Sequence, residues 1–152
     1  MKLQKFPQLP PEIAAMVEAD SRSQFGALCY RKAGGEVQVL LITSRGTGRW
    51  IVPKGWPVRG QTPAGSALIE AYEEAGVRGT VHPVCLGIFT DAKPDPRTVA
   101  IFPVRVKRLL SKYPEMGERK RKWLPLAQAA DTVDVAELGE IIRRFDPSLL
   151  QT

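Results

Sequence analysis

The sequence predicts an α/β fold in which one mixed β-sheet is covered by helices on both faces. Three observations predict it. Apolar runs of strand length recur at residues 25–31, 37–43, 80–90 and 98–107. One helical pattern, residues 62–76, falls in the middle of the chain. A second, residues 134–145, closes it. Strands placed around one central helix and followed by another bury both faces only if a helical layer lies on each side.

Taken in order, residues 1–22 are expected to be an arm, with a short helix possible in PPEIAAMVEAD; residues 23–146 form the single domain and residues 147–152 a tail. Residues 25–31 and 37–43 read as a strand pair around the turn Ala33-Gly34-Gly35. Residues 44–49 form a polar loop. Trp50-Ile51-Val52 is a short strand stopped by Pro53. Residues 80–90 read as one strand and residues 91–97 as a turn-rich loop. Residues 98–107 form another strand, where Pro103 suggests an edge or a bulge. A polar loop at 111–118 leads to a short strand near Lys122-Trp123-Leu124 and a helical turn at residues 125–130. In the closing helix Asp134 is the expected cap, with Val135, Leu138, Ile141, Ile142 and Phe145 on one face.

The central helix carries the most information. Thr62 sits where an N-cap belongs, Pro63 at the first helical position and Gly76 at a left-handed stop. Ala64, Ala67, Leu68, Ala71, Tyr72 and Ala75 form a stripe whose alanines allow close packing. Glu70, Glu73 and Glu74 share the opposite face with Ser66. Like charges at this spacing cost a helix a few tenths of a kcal/mol, and late in a helix the dipole disfavours anions. A solvated acidic face is one explanation. A hard divalent cation, which takes carboxylate oxygens, is the other.

With its flanking loop, residues 55–77, this helix resembles the Nudix box, G-x5-E-x7-R-E-U-x-E-E-x-G-U, where U is a bulky apolar residue. Gly55, Glu70, Glu73, Glu74, Gly76 and Val77 match in register, Gln61 replaces Glu and Ile69 replaces Arg. The resemblance implies the family's α/β/α sandwich. It also implies hydrolysis of a diphosphate linkage by water, with Mg²⁺ or Mn²⁺ held by the three glutamates, which serve as the catalytic residues, together with Gly55. Beyond the box, ALCYR, VLLITSRGTGRWIVPKGW, LGIF, DPRTVAIF and GERKRKWLPL look like the diphosphoinositol polyphosphate phosphohydrolase branch, whose substrates are inositol pyrophosphates or diadenosine polyphosphates. By that resemblance Arg45, Arg49, Lys54, Arg97, Lys120 and Lys122 are expected to bind substrate phosphates. Gln24 stands where the branch has a basic residue.

Composition agrees with one soluble, cytoplasmic domain: 152 residues, 43% apolar and 25% charged. No apolar run nears the ~20 residues of a membrane span. Cys29 and Cys85 lie in apolar runs and are expected to be reduced thiols. The lone His82 is assigned no role. Trp50, Trp56 and Trp123 are expected to pack, with Trp56 the one that could meet a ligand ring. Residues 105–122 hold eight Lys/Arg against two Glu, the whole of the +6 net charge. This points to a phosphate-rich small molecule before nucleic acid, because a single-strand platform needs interleaved aromatics. A catalytically weak phosphate-binding module is the alternative that Gln61 and Ile69 raise. Oligomeric state is not legible. Those two departures remove opposite charges together, so neither strands an unpaired ion. Gln61→Glu and Ile69→Arg should therefore each destabilise more than the double variant by over ~0.5 kcal/mol; denaturation curves that add would refute the pairing.

Overall fold

The computed structural model describes residues 23–93 and 95–150, so the expected arm lies outside the described residues. Eight strands form one sheet: β1 (Ser23–Ala33), β2 (Glu36–Thr43), β3 (Trp50–Ile51), β4 (Lys54–Gly55), β5 (Val77–Val81), β6 (Gly87–Asp91), β7 (Arg97–Leu109) and β8 (Arg121–Pro125). The helices are α1 (Pro63–Ala75), α2 (Leu126–Thr132) and α3 (Ala136–Arg144), followed by a 3₁₀ turn at Pro147–Leu149. None of these helices is long and apolar enough to cross a membrane.

The sheet is mixed. β1 runs parallel to β7 from Ser23↔Thr98 to Tyr30↔Arg105 and antiparallel to β2 and β4. Alternation along β1 sends Phe25, Ala27 and Cys29 to one core and Leu28 and Tyr30 to the other. β7 alternates likewise, with Ala100, Phe102 and Val104 opposed to Val99 and Ile101. Both faces are buried, which is why these strands read as continuous apolar runs. α1 covers the first core; α2 and α3 cover the second through Ala129, Leu138, Ile142 and Phe145. Both cysteines are free thiols.

α1 follows its sequence signals closely. The Thr62 hydroxyl accepts from the Gly65 N–H at 3.0 Å, and Pro63 opens the helix. Gly76 closes it at φ 68°, its N–H bonded to the Tyr72 carbonyl at 2.9 Å. Ala64, Ala67, Ala71 and Ala75 are buried against the sheet.

Other expectations are corrected. Residues 80–90 are two strands, not one: β5 pairs with the second half of β7 and β6 with its first half. His82 and Pro83 fall in the gap. Pro103 marks neither an edge nor a bulge. It lies in an interior strand opposite that gap, where its carbonyl accepts from the His82 N–H at 2.9 Å and no ladder donor is needed from its own nitrogen. The bulge lies farther along the same strand, where Lys107 is the extra residue opposite the step from Arg78 to Gly79 in β5. Asp134 does not cap α3; Val135 occupies that position without a side-chain bond, and Asp134 pairs with Arg49 and Lys93 instead. His82 is buried, with Nε2 3.1 Å from the Tyr30 hydroxyl.

The arrangement that matters for function is a split between β1 and β2. Their ladder ends at Tyr30↔Val39. Beyond it, the chain at residues 50–55 crosses the gap, pairing with β2 through Trp50 and Ile51 and with β1 through Lys54 and Gly55. The Pro53 carbonyl accepts from the Ala27 N–H at 2.9 Å on the way.

Gly76→Ala should cost at least ~2 kcal/mol, because an L-residue is strained at this φ and its Cβ would come within 2.5 Å of the Tyr113 ring. Gly34→Ala, at φ 61° with open space around it, should cost only the backbone part. Urea denaturation of the two variants separates the terms.

Candidate active site

α1 packs so closely that its acidic side meets β4. A Cβ on Gly55 would collide with the Glu70 carboxyl group, so glycine there leaves the room that this carboxylate occupies. One turn later, Glu74 Oε1 accepts from the Lys54 N–H at 3.2 Å and Oε2 lies 3.5 Å from the Arg119 guanidinium. Ser66, on the same side, accepts from the Val58 N–H at 2.9 Å and fastens the entering loop. The sequence places Glu74 on an open acidic face; in the fold it is only 8% exposed. Glu70 and Glu73 are half-buried.

Burial sets the electrostatics. It pushes the Glu74 carboxyl from its ordinary 4.5 up to about 7, against the Arg119 charge and the Lys54 N–H, with Glu70 and Glu115 adding to the rise. Burial also raises Glu70, helped by the charges of Glu73 and Glu115. Glu115 was not singled out from the sequence. The loop 111–118 carries it to α1, where its N–H donates to the Glu73 carbonyl at 3.0 Å and its carboxylate holds Arg119 at 2.9 Å. Its one sequence signal is the i,i+4 pairing with Arg119.

A cavity of about 540 Å³ opens beside this acidic side, at the split in the sheet. Six cations line it: Arg45, Arg49, Lys54, Lys93, Arg97 and Arg119. Ser44, Thr47 and Ile51 complete the wall, and Glu74 is its one carboxylate among the described residues. Four of the six phosphate-binding candidates from the sequence, Arg45, Arg49, Lys54 and Arg97, are thus brought together. Lys120 and Lys122 are not among the lining residues. Both are exposed, and Lys122 Nζ lies 5.8 Å from the Trp50 ring centre. Of the eight basic residues in 105–122, only Arg119 reaches the cavity. Arg121 turns inward to donate to the Ala75 and Leu110 carbonyls, the first of them at the end of α1. Arg105, Lys107 and Arg108 are exposed at the far end of β7. The concentration of charge in sequence is therefore not a concentration at the site.

Asp91 also escaped the sequence. It ends β6, is 2% exposed, and takes two hydrogen bonds from Arg49 Nη2, at 2.9 and 3.2 Å. Lys54 Nζ lies 3.7 Å from it. Burial works to raise the Asp91 carboxyl, but the Arg49 bonds, the Lys93 N–H and the Arg49 and Lys54 charges hold it below its ordinary value. Burial lowers Lys54.

The matching family model is the NUDIX domain, over residues 20–145. The chain belongs to the Nudix hydrolase family. Mouse diphosphoinositol polyphosphate phosphohydrolase 3-alpha is 32% identical over 110 residues, 71% of this chain and 66% of that protein. Human diphosphoinositol polyphosphate phosphohydrolase 2 is 32% identical over 110 residues, 71% of this chain and 60% of that one. The matched stretch thus spans just under two thirds of these curated relatives. Among solved structures, the Caenorhabditis elegans Ap4A hydrolase superposes with a TM-score of 0.68 at 27% identity, covering 84% of this chain and 97% of that one. These likenesses agree with the branch that the sequence motifs indicate.

The donor set of this Nudix site fits a hard divalent cation. Glu70, Glu73, Glu74 and Glu115 offer only oxygens, and Gly55 gives the backbone of β4 an unobstructed approach to Glu70. Among the described residues, no three such side chains are gathered around one point. The departures from the box are quiet. Gln61 is exposed over Gly65 in the first turn and Ile69 is half-buried, so neither leaves a buried charge unpaired.

Because native Glu74 binds its proton more tightly than the unfolded chain does, the metal-free protein should lose stability as pH rises from 4.5 to about 7. Glu74→Gln removes that loss. Its stability relative to the parent should rise by on the order of 3 kcal/mol between pH 4.5 and pH 8, measured by denaturation in chelator.

Proposed function

We propose that this chain is a divalent-metal-dependent hydrolase of a diphosphate linkage in a nucleoside or inositol diphosphate-type substrate, acting by water attack at phosphorus. The observation that carries the proposal is the cavity itself, in which six cations surround Glu74, one of three carboxylates that α1 bears on this side. A polyphosphate needs both halves: cations for the phosphates that stay bound, and an acidic cluster for the metal. Glu70, Glu73 and Glu74 would hold Mg²⁺ or Mn²⁺, with the Gly55 backbone beside them. Bound there, the ion supplies neutralisation of phosphate-oxygen charge and a lowered pKa for water.

The chain's own residues do the rest. Arg49 brings a positive charge to the cavity wall, with its two terminal nitrogens engaged and oriented by Asp91 and Asp134. Lys54 brings a second charge from β4, steadied by the Gln24 carbonyl oxygen at 3.2 Å and by Asp91. That bond gives Gln24 a use where the branch has a basic residue. Glu74 is held in place for metal binding by the Lys54 N–H and by Arg119.

The test is a panel of diadenosine polyphosphates, ADP-ribose, nucleoside triphosphates and inositol pyrophosphates, each assayed with Mg²⁺ and Mn²⁺. At least one should be cleaved, and Glu73→Gln should lower kcat by two or more orders of magnitude (roughly 3 kcal/mol or more) with the fold intact by circular dichroism. No release from any compound would favour the catalytically weak binding module.

A further inference from the structure

We infer that Asp134 is a specificity-determining residue: its carboxylate occupies the place that one further phosphate of a ligand would take between Arg49 and Lys93. It thereby limits how many phosphates the cavity accepts. The inference rests on the diphosphate-hydrolase function proposed above and deepens it to the length of the phosphate chain.

The first support is geometry. Arg49, just before β3, and Lys93, just after β6, both line the cavity. One carboxylate from a third place, the linker between α2 and α3, engages both. Asp134 Oδ1 accepts from Arg49 Nη1 at 2.9 Å, and Oδ2 lies 3.6 Å from Lys93 Nζ. The two cations are thus a single carboxylate's width apart. A phosphate group offers the same arrangement, two oxygens and negative charge, and a guanidinium recognises both groups with the same fork of N–H donors. The carboxylate has no use in its own helix, because Val135 takes the cap position of α3.

The second support is the contrast between the two acids that hold Arg49. Asp91 is 2% exposed, takes both of its Arg49 bonds from Nη2, accepts the Lys93 N–H at 3.2 Å and lies 3.7 Å from Lys54 Nζ. Pulling it away would strand a buried charge. The Asp134 side chain is 42% exposed, so water can take over its charge when it leaves, and an ion pair this open contributes little stability. Nη1 is therefore the end of Arg49 that can exchange its partner, while Asp91 keeps the guanidinium aimed. For a chain long enough to reach this cation pair, the extra phosphate only replaces an anion already there. A shorter chain never meets that competition. Asp134 thus flattens the dependence of affinity on chain length, and specificity is a difference of affinities.

Two probes of different length test this: pyrophosphate and tripolyphosphate. Their binding to the full chain is measured by calorimetry in chelator, where no metal-dependent turnover enters. The parent should bind the two within about 3-fold of each other. Asp134→Asn should bind tripolyphosphate about 10-fold or more tighter than the parent does, the scale of one charge-assisted hydrogen bond gained. Its pyrophosphate affinity should stay within about 3-fold of the parent's. Asp134→Ser, which also removes the charge, should behave alike. Asp131→Asn removes the same charge from an exposed acid of α2 that pairs with Arg143 at 3.0 Å, away from the cavity wall. It should change neither affinity by more than about 2-fold. Weaker tripolyphosphate binding by Asp134→Asn would mean that Asp134 orients Arg49 for the ligand, and would overturn the inference. So would no change, equal gains for both probes, or a matching gain in Asp131→Asn. Cleavage of a compound in Mg²⁺ without the length-dependent gain would leave the hydrolase function standing and remove the inference. The gain without cleavage of any compound would keep the control of chain length and refute the hydrolase.

Discussion

The contact between α1 and β4 is the constraint from which the site follows. The helix can approach the strand because its buried side is alanine and because residue 55 has no Cβ. That approach carries Glu70 against the strand and lets Glu74 accept a backbone N–H from Lys54. With a bulkier stripe the helix would stand off, the carboxylates would be hydrated, and Glu74 would titrate as an ordinary surface acid. The same contact needs β4 to be where it is, which depends on β1 and β2 parting to admit residues 50–55. Fold and site are therefore one problem in packing, and the acid cluster is costly to hold without a cation in a way that a solvated helix face is not.

The second theme is compensation. Buried or half-buried charges in this domain come with partners. Arg119 lies between Glu74 and Glu115; Arg49 lies between Asp91 and Asp134. Such pairs add little net stability over an apolar alternative, but they fix side chains that would otherwise sample many rotamers. Here they present guanidinium groups to a cavity in defined orientations, which is useful to a protein that must hold a flexible polyphosphate in line. Asp134 shows the trade directly: it serves the cavity and leaves α3 without a side-chain cap.

What the sequence made legible is what local rules govern. Cap, stripe and stop in residues 62–76 specify α1 almost residue by residue, and the unbroken apolar runs in β1 and β7 mark strands buried on both faces. The features it hid depend on partners distant in the chain. β4 is two residues long and exists because β1 is there to pair with it. The break between β5 and β6 is set by Pro103 across the ladder and by nothing within residues 80–90 except Pro83. The run at 119–122 offers four equivalent cations; only the fold decides that Arg119 faces the acids, that Arg121 binds carbonyls and that the lysines between and after them face solvent. Asp91 carries no signal beyond being an acid at the end of an apolar strand, and its burial could not be guessed without knowing that Arg49 would meet it.

The parallel ladder between β1 and β7 has a consequence for biosynthesis. Ser23 pairs beside Thr98, 75 positions along the chain, and the pairing continues to Tyr30 and Arg105. During translation the sheet's central strand emerges early and waits with one whole side unsatisfied until nearly the end of β7 has left the ribosome. A bare, strongly apolar strand held open for that interval is an invitation to pair with another nascent chain. Non-local parallel closure of this kind is also slow to form. Yield in a cell should thus depend on how well β1 is shielded until β7 has emerged to pair with it, more than on the stability of the finished domain.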